Sequence, residues 1–335
     1  MIPNRTALGK ATDAVVVENL RKSFPVKGGT LEAVRGIDLR VARGEIFGFL
    51  GPNGAGKTTT LRMLTTLLPP DGGRALVAGA DVASRPQDVR RRIGYVGQRG
   101  GADSAATGRE NLVLQARLYG QRKAEASARA AELIDLVELS EFADRPVLTY
   151  SGGQRRRLEV ALGIVHHPQV LFLDEPTAGL DPQNRANLWD RVRALRATGT
   201  TVFLTTHYME EADALCDRVA IIDHGAIASE GTPRELKQCL GREMVLIKPG
   251  PAARPLEDLR RDLAAERFVE EARIEGETIR LAVGDGGQAL PAIVARLQSD
   301  GVPLETISLS APSLDDVFLR QTGRSLRDAG KGEQS

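Results

Sequence analysis

The strongest constraint on the fold of this chain is one short glycine-rich stretch, Gly51-Pro52-Asn53-Gly54-Ala55-Gly56-Lys57-Thr58. It has the form G-x-x-x-x-G-K-S/T, in which small residues let successive backbone N–H groups surround a chain of phosphates. Lys57 adds a charge that can reach the β- and γ-phosphates, and the Thr58 hydroxyl can bind a Mg²⁺ that bridges them. The stretch therefore predicts a site for a nucleoside triphosphate and Mg²⁺.

The sequence on either side of this loop has the order that a phosphate-binding loop requires. Residues 45–50 form a short, mainly apolar segment, as in a buried strand, and residues 59–64 have the pattern of a helix. A helix that begins at the loop directs the positive end of its dipole towards the phosphates. A glycine-rich turn without a ligand would explain the glycines but neither Lys57 nor Thr58, so we expect a P-loop.

Composition limits the possible partners and the compartment. The 335 residues are enough for two domains, and 45 basic against 44 acidic residues provide no overall field for nucleic acid. Cys216 and Cys239 lack metal-ligand spacing, so we expect a reduced cytosolic protein. The sequence has neither a secretory signal nor an apolar run of the roughly 20 residues that a membrane span needs. A role at a membrane would then require a partner.

Two carboxylates end a further apolar segment. Residues 170–173 lead to Asp174 and Glu175, as is typical of a buried parallel strand whose carboxyl end opens onto an active site. Asp174 is placed to hold the Mg²⁺. Glu175 can orient the water that attacks the γ-phosphate and accept its proton, so it is the candidate general base.

Three other side chains are candidates for contacts with the nucleotide. His207 ends the apolar segment 202–206 and can contact the γ-phosphate, whereas Gln98 follows the candidate strand 93–97 and can contact the metal or the water. Phe24 precedes a turn and can stack on a base, or it can be an ordinary phenylalanine at the edge of a sheet. Spacing alone leaves these two interpretations of Phe24 open.

Residues from about 99 to 165 have helical periodicity and predict a helical insertion. One of its helices follows Ser151-Gly152-Gly153-Gln154, where Ser151 is the expected N-cap and the glycines expose N–H groups to an anion. One γ-phosphate needs only one loop, so this second anion site is expected to complete a nucleotide site on another subunit. The arginines that follow, at 155–157, are expected on a solvated helix face without a catalytic role.

A second unit begins near Gly241, and its elements have the order β-α-β-β-α-β of a ferredoxin-like fold. Its predicted strands are 243–248, 268–274, 277–283 and 303–309, and its predicted helices are 256–265, 288–299 and 313–320. We therefore expect an ATP-binding domain at 14–240, an accessory α+β domain at 241–324 and a flexible tail at 325–335.

Together, these motifs resemble those of the ATP-binding subunits of ABC transporters. The matching motifs are Gly51–Thr58 as Walker A, Gln98 as the Q-loop, Ser151–Gln154 as the signature, Val170–Glu175 as Walker B, Gly179-Leu180-Asp181 as the D-loop and His207 as the switch histidine. The signature separates this family from other P-loop proteins. The resemblance implies an α/β P-loop NTPase domain with a helical insertion, followed by the α+β domain.

The resemblance also implies a mechanism, in which a homodimer closes head to tail on two Mg-ATP and then hydrolyses them. Its catalytic residues would be Glu175, His207 and Gln98, and its metal ligands Thr58, Gln98 and Asp174. The implied nucleotide contacts are Phe24, Gly51, Pro52, Asn53, Gly54, Ala55, Gly56, Lys57, Thr58, Thr59, Ser151, Gly152, Gly153, Gln154 and Asp181. Phe24 would stack on the adenine.

Within the family, the chain is similar to the daunorubicin-resistance type of drug-export ATPase. The matching segments are 149–153, 90–93, 222–225, 230–233 and 313–319. This similarity implies export of a drug, an antibiotic or a similar hydrophobic compound by a permease on a separate chain. The permease would contact residues of about 98–112 at the cytoplasmic side of the membrane. The alternatives are an exporter ATPase for polysaccharide or lipid, and a soluble ABC ATPase without a permease.

Overall fold

The computed structural model describes residues 13–98, 100–239, 243–251, 254–310 and 312–323. These residues form two compact units, 13–233 and 234–323, each with its own apolar core. The boundary expected at residues 240–241 and the tail expected at 325–335 lie outside the described residues. Within the described residues, no helix combines the length and the apolar character needed to cross a bilayer.

The first unit is a mixed α/β unit. Its strands are β1 Asp13–Val26, β2 Gly29–Ala42, β3 Ile46–Leu50, β4 Gly72–Val77, β5 Ala80–Asp81, β6 Ile93–Val96, β7 Val170–Asp174, β8 Thr201–Thr206, β9 Arg218–Asp223 and β10 Ala226–Gly231. Its helices are α1 Lys57–Leu64, α2 Pro86–Arg92, α3 Gly108–Leu118, α4 Lys123–Leu136, α5 Gly152–Gly163, α6 Pro182–Ala197 and α7 Met209–Leu215. A further helix, α8 Pro233–Gln238, begins where the two units meet in the sequence.

The central sheet of this unit has the strand order β10-β9-β3-β8-β7-β6. Its strands from β9 to β6 are parallel, and only β10 runs antiparallel to its neighbour. Every residue of β3, β7 and β8 is buried, which explains their continuous apolar sequences. Because parallel strands end at one edge, the segments that follow β3, β6, β7 and β8 meet there.

A smaller antiparallel sheet has the order β2-β1-β4-β5. The strands predicted at 14–20 and 32–41 are confirmed, but both are longer, because β1 and β2 form a hairpin that turns at Lys27 and Gly28. The segment 21–24, which includes Phe24, therefore belongs to β1.

The predicted helical insertion is confirmed as α3, α4 and α5. Ser151 is the N-cap of α5, as predicted, and forms a capping box with Gln154. The helices α2 and α6 were not predicted. In α6 only Leu188, Val192 and Leu195 are buried, so its apolar stripe is narrow and lies among many polar residues.

The second unit contains a four-stranded antiparallel sheet of order β12-β13-β11-β14. Its elements are β11 Glu243–Pro249, α9 Leu256–Ala264, β12 Val269–Glu275, β13 Thr278–Val283, α10 Gly286–Ser299, β14 Leu304–Ser310 and α11 Leu314–Thr322. The predicted β-α-β-β-α-β order of a ferredoxin-like unit is confirmed. Its core is formed by alternate residues of β11 and β13 and by the buried stripes of α9 and α10.

Candidate nucleotide-binding site

The P-loop, Gly51–Thr58, connects β3 to α1 and has a backbone that requires glycine. Gly54 and Gly56 have φ angles of +78° and +101°, in the left-handed region that side chains disfavour. A Cβ atom on Gly56 would lie 2.4 Å from the carbonyl oxygen of Ala33, and one on Gly51 would lie 2.3 Å from that of Ile222. The loop is therefore held in its curved form by close contact with neighbouring backbone.

Lys57 is buried at the centre of the site. Its Nζ donates hydrogen bonds to the carbonyl oxygens of Gly51 at 2.7 Å and Pro52 at 2.9 Å, and it lies 3.6 Å from Oε1 of Glu175. Burial lowers the pKa of the ammonium group, although Glu175 and Asp174 act in the opposite direction. A phosphate accepts charge-assisted hydrogen bonds more strongly than a carbonyl does, so this ammonium is well suited to bind one.

Asp174 and Thr58 bring together the oxygen ligands that Mg²⁺ prefers. The Thr58 hydroxyl donates to Oδ1 of Asp174 at 3.2 Å, and the Thr205 hydroxyl donates to the same oxygen at 2.6 Å. The described residues contain no group of three or more His, Cys, Asp or Glu side chains that could hold a metal. This hydroxyl–carboxylate pair fits Mg²⁺, which commonly takes its other ligands from phosphates and water.

Glu175 follows Asp174 at the end of β7 and has a left-handed backbone, with φ +46°. Its N–H group donates to the carbonyl and to the hydroxyl oxygen of Thr205, both at 3.1 Å, and its Oε2 lies 3.3 Å from Nδ1 of His207. Burial alone would raise the pKa of this carboxyl, but His207 and Lys57 outweigh burial and lower it. Glu175 is therefore ionised at neutral pH, which a proton acceptor must be.

Two other predicted residues, Gln98 and Phe24, lie close to the ends of strands. Gln98 is exposed in the turn after β6, at the same edge of the sheet as Asp174 and Glu175. Phe24 is half-buried near the end of β1, and the Nζ atom of Lys22 lies 5.7 Å from the centre of its ring.

The signature turn, Ser151–Gln154, forms a separate element. The Ser151 Oγ accepts from the N–H of Gln154 at 3.2 Å, and Oε1 of Gln154 accepts from the N–H of Ser151 at 2.9 Å. In the described part of the chain, no hydrogen bond or ion pair joins this turn to the P-loop. Asp181, in the D-loop, caps α6 by accepting from the N–H of Asn184 at 2.9 Å.

The expectation that the arginine run lies on a solvated helix face is wrong for Arg156. Its side chain is buried and donates to the carbonyl oxygens of Gly97, Asp174 and Pro176. Helical spacing could have indicated this, because Arg156 lies between the buried residues Gly153 and Val160 on one stripe of α5.

A second buried polar residue was also missed. Glu211, on α7, is fully buried and accepts a hydrogen bond from Nε1 of Trp189 at 3.2 Å. Burial raises the pKa of this carboxyl, although the neighbouring Thr206, Thr177 and Trp189 side chains lower it in part. No sequence pattern marked it, because an isolated glutamate on a short helix is usually exposed.

Comparison with known proteins matches a family model to each of the two units. Residues 34–178 match the family model described as ABC transporter, and residues 231–322 match that of the ATP-binding protein DrrA1-3-like, C-terminal domain. The chain is 49% identical over 323 residues to the daunorubicin/doxorubicin resistance ATP-binding protein DrrA of Streptomyces peucetius, covering 96% of each chain. It is 43% identical over 297 residues to the Nod factor export ATP-binding protein I of Burkholderia orbicola, covering 88% of this chain and 93% of that one.

Solved structures match about two thirds of the chain. The ATP-binding cassette MJ0796, in a dimeric post-hydrolysis state bound to ADP and Pi, has a TM-score of 0.60 and 25% identity. The match covers 65% of this chain and 98% of that one. The chain therefore belongs to the DrrA-like ATP-binding proteins of the ABC transporter family and is an ATPase with the P-loop NTPase fold.

Proposed function

We propose that this protein is the ATP-hydrolysing subunit of an exporter whose permease is a separate chain, and that the cargo is a drug, an antibiotic or a similar hydrophobic compound. The cargo class is supported by the 49% identity to a daunorubicin/doxorubicin resistance protein. The single observation that carries the catalytic part is the convergence of Lys57, Asp174, Glu175 and His207 at one edge of the central sheet.

In the proposed reaction, Glu175 accepts a proton from the water that attacks the γ-phosphate, while Lys57 binds the β- and γ-phosphates. His207 keeps Glu175 ionised and contacts the γ-phosphate, and Gln98 contacts the metal or the water. Thr58, Asp174 and Gln98 would hold Mg²⁺, which neutralises phosphate charge when it is bound.

We further propose that two copies close head to tail on two Mg-ATP. Among the described residues, no hydrogen bond or ion pair joins the signature turn, Ser151–Gln154, to the P-loop, and in the proposed dimer a second copy brings both to one nucleotide. The dimeric state of the similar cassette MJ0796 supports this arrangement. Phe24 would stack on the adenine, and the remaining contacts would be Gly51, Pro52, Asn53, Gly54, Ala55, Gly56, Thr59 and Asp181.

A groove beside the helical insertion is the proposed docking site for the permease. It has a volume of about 740 Å³, and its lining includes Arg90, Arg91, Leu118, Tyr119 and His166. The rings of Tyr119 and His166 stack at 3.8 Å, and Leu118 is 73% exposed. The exposed apolar Leu118 and the basic Arg90 and Arg91 in this lining fit a helix of the permease that carries apolar and acidic residues.

We also propose that the permease contacts the region of about 98–112, of which Gly100 and Gly101 lie close to this groove. A smaller cavity lined by Gly100 and Gly101 shares Tyr119 and His166 with it. Docking there would hold the protein at the cytoplasmic side of the membrane.

A second candidate function is export of a polysaccharide or a lipid. A cargo other than a drug is favoured by the 43% identity to a Nod factor export protein over 88% of this chain. The two candidates share the ATPase mechanism and differ in the cargo, which the permease would select.

The first experiment measures self-association by light scattering and hydrolysis of Mg-ATP for the wild type and Glu175→Gln. Loss of a general base lowers a rate by about 10²–10⁴-fold, so the variant should retain ATP and accumulate as a dimer. The exposed Glu141→Gln is the matched control and should behave as the wild type. A Glu175→Gln protein that is monomeric with ATP and hydrolyses it at the wild-type rate would refute the mechanism.

The cargo requires a separate measurement. Cells that produce the wild-type protein with a candidate permease should accumulate less daunorubicin than cells with Glu175→Gln and the same permease. Equal accumulation of daunorubicin, together with exported polysaccharide or lipid that depends on Glu175, would favour the second candidate.

A further inference from the structure

We propose that Arg156 is a positioning residue for ATP hydrolysis, because it fixes the end of β7, which carries Glu175, to the loop that carries Gln98. The inference rests on the proposed role of Glu175 as the general base. Arg156 itself is not assigned any contact with ATP.

The guanidinium of Arg156 binds the backbone on both sides of Glu175. Its Nη2 donates to the carbonyl oxygen of Asp174 at 3.1 Å, and its Nε donates to that of Pro176 at 2.8 Å. These are the residues immediately before and after Glu175. The backbone that sets the direction of the carboxylate is therefore held by one side chain of α5.

The same guanidinium also binds the neighbouring loop. Its Nη1 donates to the carbonyl oxygen of Gly97, directly before Gln98, at 2.8 Å. It also donates to Oε2 of Glu159 at 3.0 Å, and both side chains of this ion pair are less than 10% exposed. Glu159 in turn packs against the loop beyond Gln98, since a Cβ atom on Gly100 would lie 1.8 Å from its Oε1. The Arg156–Glu159 pair thus contacts the loop on both sides of Gln98.

This arrangement needs an arginine rather than a positive charge alone. Guanidinium presents five donors in a rigid plane, so it can bind several carbonyl oxygens at once, whereas an ammonium is a compact point donor. Glu175 also has a left-handed backbone, a conformation that persists in non-glycine residues only when the surroundings enforce it. Weakening the hydrogen bonds of Arg156 therefore frees this segment to relax.

The consequence is a mechanical link between two parts of the molecule. Because Gly97 and Asp174 share one buried guanidinium, a displacement of the Gln98 loop is transmitted to the end of β7. The loop lies beside the proposed permease groove, so Arg156 connects that groove to Glu175.

The test compares Arg156→Lys with Arg157→Lys. Arg157 is the next residue of α5, and its guanidinium binds the carbonyl oxygens of Val137 at 3.0 Å and Glu138 at 2.9 Å, within the helical insertion. Misplacement of a reacting group by about 1 Å costs on the order of 100-fold, so Arg156→Lys should lower kcat by about 10- to 100-fold. KM for ATP should stay within about twofold, since ground-state binding is unchanged. Arg157→Lys should leave kcat within about twofold of the wild type, even if it lowers the thermal midpoint.

A double variant separates positioning from general damage to the fold. If Arg156 acts through Glu175, Arg156→Lys combined with Glu175→Gln should hydrolyse ATP no more slowly than Glu175→Gln alone. A merely structural role would slow the double variant further. Wild-type kcat in Arg156→Lys, or an additional loss in the double variant, would overturn the inference.

Failure to fold and failure of the proposed function give different results. If Arg156→Lys does not fold, Glu159→Gln provides the test: it retains the side-chain shape but weakens the hold on Arg156, so kcat should fall by at least about threefold. Wild-type kcat in that variant would reject the inference. Wild-type hydrolysis by Glu175→Gln would instead reject the proposed base, whatever the Arg156 variants show.

Discussion

Nδ1 of His207 lies 3.3 Å from Oε2 of Glu175, so the first residue after β8 contacts the first residue after β7. On its other side, Oε1 of Glu175 lies 3.6 Å from Nζ of Lys57. Burial raises the pKa of the Glu175 carboxyl, while the neighbouring His207 and Lys57 side chains lower it more. The ionisation of the candidate base is therefore controlled by two neighbours.

Replacing His207 by Ala should shift the acidic limb of the pH–kcat profile to higher pH. The substitution removes one cause that lowers the pKa of Glu175, while burial still raises it. The profile of kcat against pH, measured with saturating Mg-ATP, tests this. The exposed His224 provides the control variant, His224→Ala, which should leave the limb unchanged. An identical acidic limb in His207→Ala would show that His207 does not set the ionisation of Glu175.

The same contact affects stability, with a definite sign. Because the folded-state pKa of Glu175 lies below its ordinary value of 4.5, its ionisation stabilises the fold above that value. This contribution is lost as the pH falls through the folded-state pKa. The acid-induced loss of unfolding free energy should therefore be smaller in Glu175→Gln than in the wild type. Urea unfolding at a series of pH values measures this free energy. If it falls equally steeply with decreasing pH in both proteins, the pKa of Glu175 is not lowered in the folded state.

Lys57→Ala should weaken ATP binding. The Lys57 ammonium is buried among the carbonyl oxygens of the P-loop, and a hydrogen bond to a charged group contributes about 1.5–3 kcal/mol, or about 10- to 150-fold in affinity. Titration with a fluorescent ATP analogue and Mg²⁺ gives the dissociation constants. Lys123→Ala, on the exposed start of α4, should bind as tightly as the wild type. Equal affinities for Lys57→Ala and Lys123→Ala would remove Lys57 from the phosphate site.

Much of this fold could be predicted from local sequence. The P-loop motif, the apolar strands that end at Asp174 and Thr206 and the cap at Ser151 are short-range patterns, and each lies where it was expected. The β-α-β-β-α-β order of the second unit was visible for the same reason. Helix α6 was missed because its buried residues are few, yet Asp181 as N-cap and Pro182 at the first position could have indicated its start.

The contacts of Arg156 and Glu211 could not be predicted in this way. Arg156 binds carbonyl oxygens of two strand ends that are distant from it in the sequence, and Trp189 reaches Glu211 from a different helix. Long-range polar contacts of this kind depend on how the helices and strands pack together. The spacing of apolar residues within one helix or strand does not indicate that packing. An arginine or a glutamate is usually exposed. The residue type therefore favoured a solvated position for Arg156, which is wrong.

Gly153→Ala should destabilise the first unit through Asn184. A Cβ atom at position 153 would lie 2.3 Å from Oδ1 of Asn184, whose Nδ2 donates to Oδ2 of Asp181 at 2.5 Å. Overpacking of this kind costs about 1–3 kcal/mol, which thermal unfolding can measure. Gly152→Ala is the matched control, because its Cβ would meet only Leu180 at 3.9 Å.

The origin of that cost can be tested with a second substitution. Asn184→Ala removes the side-chain atoms that the new Cβ would meet, so Gly153→Ala with Asn184→Ala should be more stable than the sum of the two single effects predicts. Strict additivity would show that the Gly153→Ala cost arises elsewhere, for example in the first turn of α5.

Glu211→Gln should stabilise the protein, and the gain should grow with pH. Burial raises the pKa of the Glu211 carboxyl, so the neutral form is favoured in the folded state. Its stabilising effect is complete below the ordinary value of 4.5 and is lost as the pH rises through the folded-state pKa. A glutamine is neutral at every pH and retains an oxygen that can accept the hydrogen bond from Trp189. The midpoints of thermal unfolding of Glu211→Gln and the wild type should therefore be similar near pH 4.5. Towards pH 8, the midpoint of Glu211→Gln should become the higher of the two.

Trp189 is the only tryptophan of the chain, so its fluorescence reports unfolding at the position of this contact. Glu210→Gln is the control, since Glu210 is exposed beside Glu211 and contacts Arg185 only at 4.0 Å. Its midpoint should follow that of the wild type at each pH. A Glu211→Gln protein that is less stable than the wild type near pH 8 would mean that the buried carboxyl is ionised and paired. In that case Glu211 would hold α7, and with it His207, through charge rather than through a neutral hydrogen bond to Trp189.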